Sequence, residues 1–196
     1  MTVVCQIFWF WPSSDIVHPP GVLVDHEPIQ GAAPDPASPW TKDDYRITPL
    51  ATYTIEARVL SKERYRYDRE ADLSPYDLML GWLEMSDERI VSQFSFSQGQ
   101  RWGFWKTDRT PPLKEDEVAL FAANTHILPA DEAVLKAVKK LREGDVIQAS
   151  GYLVEVNAED GWRWRSSLSR TDTRGGSCEV FWVESISRRP RPVPVH

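Results

Sequence analysis

The clearest pattern of apolar and polar positions lies between residues 131 and 156. Within 131–142, apolar side chains recur at helical spacing and lysines occupy the opposite face; the apolar set is Val134, Leu135, Val138 and Leu141, and the lysines are Lys136, Lys139 and Lys140. Gly144 follows, where the end of a helix favours a residue that tolerates positive φ. The pattern therefore predicts a short amphipathic helix over 131–142.

The spacing then changes to that of an extended chain over 144–156, GDVIQASGYLVEV. Apolar residues occupy both faces of this stretch, which predicts a largely buried strand. Gly151 in its middle predicts a bulge or a sharp bend. Four further segments complete this half of the chain: a turn at 158–161, a hairpin partner at 162–169, a loop at 171–177 and a last strand at 178–186.

The first half of the chain also alternates in the manner of strands, beginning with a half-buried strand within 45–67. Residues 74–87 admit a helix that starts at Ser74 or an extended segment interrupted at Gly81, and we favour the extended segment. Residues 90–107 predict two strands joined by a turn at 98–100. An apolar segment at 117–129 then precedes the helix.

Together these elements predict a mainly β fold with one short helix placed before the last strands. This order is that of an OB-like barrel, in which a helix lies between the third and fourth strands, or of another small β-barrel. We expect three regions: an apolar leader and Pro-rich extended arm at 1–41, a single barrel-like domain at 42–187, and a flexible basic tail at 188–196. The motif GVLV (21–24) of the arm is a candidate edge strand.

Composition adds the charge and the aromatic content to this picture. The net charge of the 196-residue chain is −6, which disfavours nucleic-acid binding through the overall field. The charge is uneven, since residues 161–196 hold seven Arg and only three acids. Nine Trp favour a well-packed β-rich core. The two cysteines, Cys5 and Cys178, permit at most one internal disulfide.

The first twelve residues, MTVVCQIFWFWP, are apolar and aromatic. They are shorter than the roughly 20 residues that span a bilayer and lack the basic start of a signal peptide. One interpretation is a hydrophobic first strand docked on the domain. The alternative is the outer end of a membrane helix with Trp9 and Trp11 as interfacial anchors, which would give this chain a membrane association through residues 1–12.

Several segments carry a resemblance; they are DLMLGWLEMSD (77–87), FSQGQRW (96–102), AANTHILPA (122–130), GDVIQASGYLVEV (144–156) and WRWRSSLSRTDTRGGSCE (162–179). Residues 19–186 resemble an uncharacterised bacterial family whose members often carry an N-terminal membrane segment before a PPGVL-like start. The resemblance implies no activity. It implies an envelope location on the periplasmic side and favours the membrane interpretation of residues 1–12; the other location is cytoplasmic.

One combination of residue types fits nucleophilic catalysis, with His126 as base, Ser166 or Ser167 as nucleophile and Asp172 as the orienting acid. The signal is unspecific because no GxSxG motif surrounds the serines. The interpretation that we favour is structural: His126 bonds the turn that enters the helix, the serines lie on a strand, and Asp172 binds backbone within its loop.

Cofactor and metal chemistry have little support in the sequence. Cys178 beside Glu179 offers another nucleophile for His126, but a cysteine on an apolar strand is more often inert packing. The four His are scattered and no HExxH motif is present, so no metal site is expected. No GxGxxG or GxxxxGK[ST] loop is present, so no nucleotide cofactor is expected.

The binding surface that the sequence favours is an arginine face made of Arg163, Arg165, Arg170 and Arg174. If 162–169 is a strand, Trp162 and Trp164 point to the core and the arginines lie at one exposed edge. OB-like barrels bind oligonucleotides or oligosaccharides near such an edge.

Three functional hypotheses follow. The leading one is a non-enzymatic binding module of the cell envelope, whose partner is a protein or a small anionic ligand. The second is a hydrolase that uses His126 with Ser166 or Ser167. The third is a single-stranded nucleic-acid binding protein, which the acidic net charge disfavours.

Overall fold

The computed structural model describes residues 16–34, 38–169 and 178–190, and it confirms the mainly β class. The predictions for the leader 1–12 and the loop 171–177 lie outside the described residues. The strands are β1 Ile29–Ala32, β2 Trp40–Lys42, β3 Tyr45–Arg64, β4 Tyr76–Gly81, β5 Ser95–Gly99, β6 Trp102–Lys106, β7 Ala122–Pro129, β8 Val146–Ala158, β9 Arg163–Arg165 and β10 Glu179–Arg188. The α-helices are α1 Glu88–Val91, α2 Glu115–Phe121 and α3 Glu132–Lys139, and short 3-10 helices occupy Arg69–Asp72 and Leu83–Ser86.

Eight of the strands form one large sheet, and β5 and β6 form a separate hairpin. Within the large sheet, five strands are hydrogen-bonded in the order β3, β4, β7, β10, β8, and β8 pairs again with β3. The pairings of these strands therefore form a closed five-strand circuit. The β7–β10 pair is parallel, whereas the other pairs of the circuit are antiparallel.

Strand β3 has 20 residues and pairs with β8 through its first part and with β4 through its last. The register shifts at Leu50, directly after Pro49, and again at Leu60. Proline lacks the N–H that a regular ladder needs, so Pro49 is tolerated beside a bulge. Because bulges bend a strand and increase its twist, the two shifts allow β3 to curve from one partner to the other.

One face of each circuit strand contributes to a single buried cluster. Its largest fully buried members from the five strands include Tyr53, Ile55, Leu78, Leu80, Ile127, Ile147 and Phe181. Helix α3 adds Val134 and Val138 to this cluster, as the helical spacing predicted.

Both ends of α3 are capped by side chains. The carboxylate of Asp131 accepts a hydrogen bond from Val134 N at 2.8 Å. At the other end, Lys62 Nζ donates to the carbonyl oxygens of Val138, Lys139 and Leu141 at 2.8–2.9 Å. These contacts satisfy backbone groups that the helix itself leaves unpaired.

The described part of the Pro-rich arm is hydrogen-bonded to the domain. Ser86 Oγ accepts from the backbone N–H groups of Leu23 and Val24, each at 3.0 Å. Val24 O accepts from Leu83 N at 2.8 Å, and the Val24 side chain is 1% exposed. The candidate edge strand 21–24 is therefore a docked extended segment, and the added strand β1 lies at Ile29–Ala32 instead.

Several local predictions are confirmed with shifted boundaries. The segment favoured as extended at 74–87 contains β4, which ends at Gly81. The two strands predicted within 90–107 are β5 and β6, although residues 88–91 form α1 and the turn lies at Gln100 and Arg101. Within the described ranges, no helix has the length and apolar character to cross a membrane.

Gly151 lies where β8 closely approaches the bulge of β10, opposite Val183. A Cβ atom at this position would lie 2.0 Å from Trp182 O. We therefore expect Gly151→Ala to lower the free energy of unfolding by about 1–3 kcal/mol, measured by urea denaturation. Gly99→Ala is the control, because a Cβ at that position meets nothing within 4 Å. Equal unfolding midpoints for the two variants would contradict the packing described for Gly151.

Candidate functional site

The predicted arginine face begins with β9, where Arg163 and Arg165 point outward with 57% and 45% of their side chains exposed. Both guanidinium groups bond the same oxygen of Glu155 on β8, Arg163 Nη2 at 2.6 Å and Arg165 Nη1 at still closer contact. Two cations therefore share one carboxylate, and the cluster has a net charge of about +1.

The Glu155 carboxyl is only 15% exposed. Burial is the largest single influence and would raise its pKa, but the hydrogen bonds from Arg163, Arg165 and Asn157 together outweigh it and lower the pKa to about 2. Glu155 therefore stays ionised at neutral pH and holds the two arginines side by side.

Aromatic side chains lie between and beside these arginines. Trp162 and Trp164 are half-buried, with their ring centroids 6.1 Å apart. They pack against a second buried apolar cluster, which includes Ile47, Leu128 and Val154. The prediction that they belong to the core is thus only partly correct. Arg69 lies over Trp162 at 4.7 Å and makes a bidentate ion pair with Asp160.

His126 lies on β7 beneath Trp164, with the two aromatic rings 4.8 Å apart. Its side chain is 4% exposed, and Nδ1 lies 2.9 Å from Oδ2 of Asp77, a fully buried residue of the neighbouring strand β4. The distance is that of an ion pair, but the ring N–H does not point at the carboxylate as a hydrogen bond requires.

Arg101 connects this pair to the surface. Its Nη1 donates to Oδ1 of Asp77 at 2.8 Å, and Nε and Nη2 bind both oxygens of Asp68 at 2.8 Å. The guanidinium also lies 3.9 Å from the centroid of the Tyr65 ring. Burial opposes the charge of Arg101 most strongly, yet Asp68 and Asp77 outweigh it and raise its pKa above the ordinary value.

The backbone of Arg101 is held in an unusual conformation. Gln100 and Arg101 have φ values of 51° and 69° and form the two-residue turn between β5 and β6. Such a turn favours Asn-Gly, because a side chain disfavours positive φ at both positions. The two carboxylates that bind Arg101 therefore offset a local backbone cost.

The serine hydroxyls do not bond the His126 ring in the part of the chain that the structure describes. Ser166 Oγ donates to Ser167 O at 2.8 Å and accepts from Val180 N at 3.0 Å. Ser167 Oγ donates to Ser169 O at 2.9 Å. Both serines are buried, and each hydroxyl donates to a backbone carbonyl oxygen. The hydrolase hypothesis requires a serine hydroxyl that donates to a base, and neither serine donates to one among the described residues.

Only some of the remaining predicted residues belong to the part of the chain that the structure describes. Asp172, Arg170 and Arg174 lie outside the described residues. Cys178 is half-buried, and its Sγ lies 3.7 Å from Nδ2 of Asn124. Among the described residues, no three His, Cys, Asp or Glu side chains come together as metal ligands would.

Sequence reasoning missed the partners that hold the site together. Asp77 gave a usable signal, because a carboxylate within the apolar strand YDLML requires a buried partner. Arg101 and Glu155 gave none, since each looks like an ordinary surface residue next to a turn or on a strand. The carboxylates of Arg101 lie 24 and 33 positions away, and tertiary packing brings the β5–β6 hairpin to them. The two arginines of Glu155 are only 8 and 10 positions away, but they meet it only because β9 pairs with β8.

Comparisons of the chain with family models, with curated proteins and with solved structures give no match.

Replacing Arg101 tests the buried network. Arg101→Leu leaves the Asp77 carboxylate buried without its guanidinium, so we expect a loss of about 3–5 kcal/mol in the free energy of unfolding. Arg163→Leu is the control, because 57% of the Arg163 side chain is exposed and Arg165 still bonds Glu155 after the change, so the loss should be less than about 1 kcal/mol. The double variant Arg101→Leu with Asp77→Leu should recover part of the loss. Similar costs for Arg101→Leu and Arg163→Leu would contradict the account.

The depressed pKa of Glu155 predicts a pH dependence. Because its folded pKa of about 2 lies below the unfolded value of about 4.3, its stabilisation is fully present above the unfolded value. It is lost as the pH falls through the folded value. The carbon-13 chemical shift of the carboxyl should titrate near pH 2, and in Arg163→Gln with Arg165→Gln the midpoint should rise. A wild-type midpoint near 4.3 would contradict the shared contact.

Proposed function

We propose that this protein is a non-enzymatic binding module built on an OB-like barrel. The observation that carries the proposal is the five-strand circuit, taken in chain order as β3, β4, β7, β8 and β10. The first strand pairs with the second and the fourth, the third pairs with the fifth in parallel, and α3 lies between the third and the fourth. An OB-like barrel also places its helix between the third and fourth strands.

This topology suggests where a ligand binds. OB-like barrels bind ligands across their second and third strands and at the loops between strands one and two and between strands four and five. In this chain the first loop is residues 65–75, and the second connection, which carries β9, is described over residues 159–169 and at Cys178. Arg163 and Arg165 lie in the second of them and Tyr65 in the first, so the arginines occupy a position that suits ligand binding.

The outer surface of β4 and β7 is partly covered by other side chains of this chain. Asp77 and His126 of these strands are buried, and Trp164 and Arg101 lie against them. A ligand therefore meets the rim formed by β9 and the adjacent loops rather than the middle of the strands.

The chemistry of β9 favours an anionic ligand. Arg163 and Arg165 are exposed, lie side by side, and share one carboxylate, so each guanidinium retains donors for a second acceptor. Arginine forks match carboxylate and phosphate oxygens in pairs. We propose a protein segment or small molecule that carries carboxylates as the partner.

The proposal includes no catalytic step. The hydroxyl groups of Ser166 and Ser167 donate to backbone carbonyl oxygens, and His126 lies beneath Trp164 beside Asp77. A nucleophile and its base need a direct hydrogen bond that these positions do not provide.

We place the module at the cell envelope. The support is the family resemblance of residues 19–186 and the apolar, Trp-containing stretch 1–12. An anchored domain of this kind would present its arginine strand to partners in the surrounding compartment.

Single-stranded nucleic acid is a second candidate because half-buried Trp162 and Trp164 lie beside the arginines. Aromatic side chains next to cations are the usual means of binding unpaired bases. The experiment below distinguishes this candidate from a carboxylate partner.

Binding of a polyglutamate peptide and of an oligothymidylate to the full chain, measured by fluorescence anisotropy at low and high salt, tests the function. We expect the peptide to bind and each of Arg163→Ala and Arg165→Ala to weaken binding about tenfold. Arg109→Ala is the control, because Arg109 is exposed in the loop between β6 and α2 and belongs neither to β9 nor to its ion pairs. Arginine-dependent binding of the oligothymidylate alone would favour the nucleic-acid candidate, and binding unaffected by either substitution would contradict the proposal.

A further inference from the structure

A groove of about 350 Å³ lies between helix α3 and the end of β10. Its floor is apolar and includes Ala137, Leu141 and Ile186. Its rim carries three cations, which are Lys136, Lys140 and Arg188. The described residues that line it include no carboxylate.

The three cations are only weakly paired. Lys136 Nζ lies 4.0 Å from Glu132, and both side chains are more than 60% exposed. Arg188 lies 3.9 Å from Asp145, whose Oδ2 already accepts from Arg142 N at 2.8 Å. The exposed Lys136 pair contributes little. Asp145 is buried, but the Arg188 side chain is 46% exposed and 3.9 Å is longer than a hydrogen bond, so these cations remain able to bind an outside anion.

The combination of an apolar floor and a cationic rim indicates which class of ligand the groove fits. A small inorganic anion would use the rim and leave the floor exposed. A molecule with an anionic head and an apolar chain would use both, as lysine and arginine side chains do at membrane interfaces. Clustered cations near a membrane attract anionic lipids.

The position of the groove relative to the arm supports the same ligand. Ile16 N donates to Glu143 O at 3.0 Å, and Ile16 fills the space where Gly144 has no side chain. Glu143 follows Leu141 of the groove floor by two residues, which corresponds to at most about 7 Å of chain. The first described residue of the arm therefore lies close to the groove, and the apolar sequence 1–12 precedes it by only a few residues.

We propose that the groove between α3 and β10 is a docking surface for anionic phospholipid, which holds the domain against a bilayer. The phosphate of the lipid head binds Lys136, Lys140 and Arg188, and the upper part of an acyl chain contacts the partly exposed Ala137 and Ile186. The proposal rests on the envelope location proposed above, and it is independent of the ligand of Arg163 and Arg165.

Co-sedimentation of the full chain with lipid vesicles tests the proposal. The vesicles contain phosphatidylcholine alone or phosphatidylcholine with phosphatidylglycerol. Insertion of residues 1–12 would contribute to binding of both kinds, so the difference in bound protein between them measures the contribution of the anionic lipid. The test variant carries Lys136→Glu, Lys140→Glu and Arg188→Glu. The control variant carries Lys106→Glu, Arg109→Glu and Lys114→Glu, which change the same charge at exposed positions outside the groove.

We expect phosphatidylglycerol to strengthen binding of the wild type and of the control. A cation near an anionic surface contributes about fivefold in affinity. Replacing all three by glutamate should therefore weaken the phosphatidylglycerol-dependent binding by at least about a hundredfold. An equal loss of vesicle binding in the test and control variants would show that only the net charge of the chain matters, and it would overturn the proposal. Competition by millimolar inorganic phosphate would also overturn it in favour of a free-anion site.

Lipid binding by the groove can be distinguished from ligand binding by Arg163 and Arg165 of β9. The variant Arg163→Ala with Arg165→Ala should bind both kinds of vesicle as the wild type does. Loss of lipid binding in that variant, with the groove variant unaffected, would move the lipid contact from the groove to β9 and contradict the proposal.

Discussion

The fold depends on one strand that pairs along two different partners. Strand β3 has 20 residues, and a straight strand of this length would extend about 66 Å. A domain of about 150 residues has a radius of gyration of only about 15 Å, so β3 has to bend. The bulges at Leu50 and Leu60 provide the bends, and they let β3 pair with β8 at one end and with β4 at the other. The two remaining strands of the circuit, β7 and β10, lie between β4 and β8 and connect them.

The placement of charged residues follows from this closure. The inner faces of the circuit strands are filled by apolar side chains, so the charged side chains of the candidate site lie on the outer surface and at the rim. On the outer surface, Asp77 and His126 are buried beneath Trp164 and Arg101. At the rim, Glu155 holds Arg163 and Arg165 close together and leaves them exposed. An acidic chain thus presents a local cationic surface at β9.

Local periodicity predicted those helices and strands that can be recognised without knowing which other element they pack against. Helix α3 was predicted from its apolar spacing, and β8 and β10 from continuous apolar runs, because these patterns record burial alone. The parallel pairing of β7 with β10 was not predictable in this way, since it joins residues more than 50 positions apart. The same limit applies to the site. Arg163 and Arg165 were found from strand alternation, whereas Arg101 meets its carboxylates only because the separate β5–β6 hairpin packs against β4 and the loop that precedes it.

Cross-strand nuclear Overhauser effects in the folded chain test the closed circuit most directly. We expect contacts between residues 125–129 and 179–183 in a parallel register, together with antiparallel contacts between residues 45–58 and 146–158. Both sets must occur in one molecule for the circuit to close. Absence of either set, or an antiparallel register between β7 and β10, would contradict the closed circuit and the binding site that we propose from it.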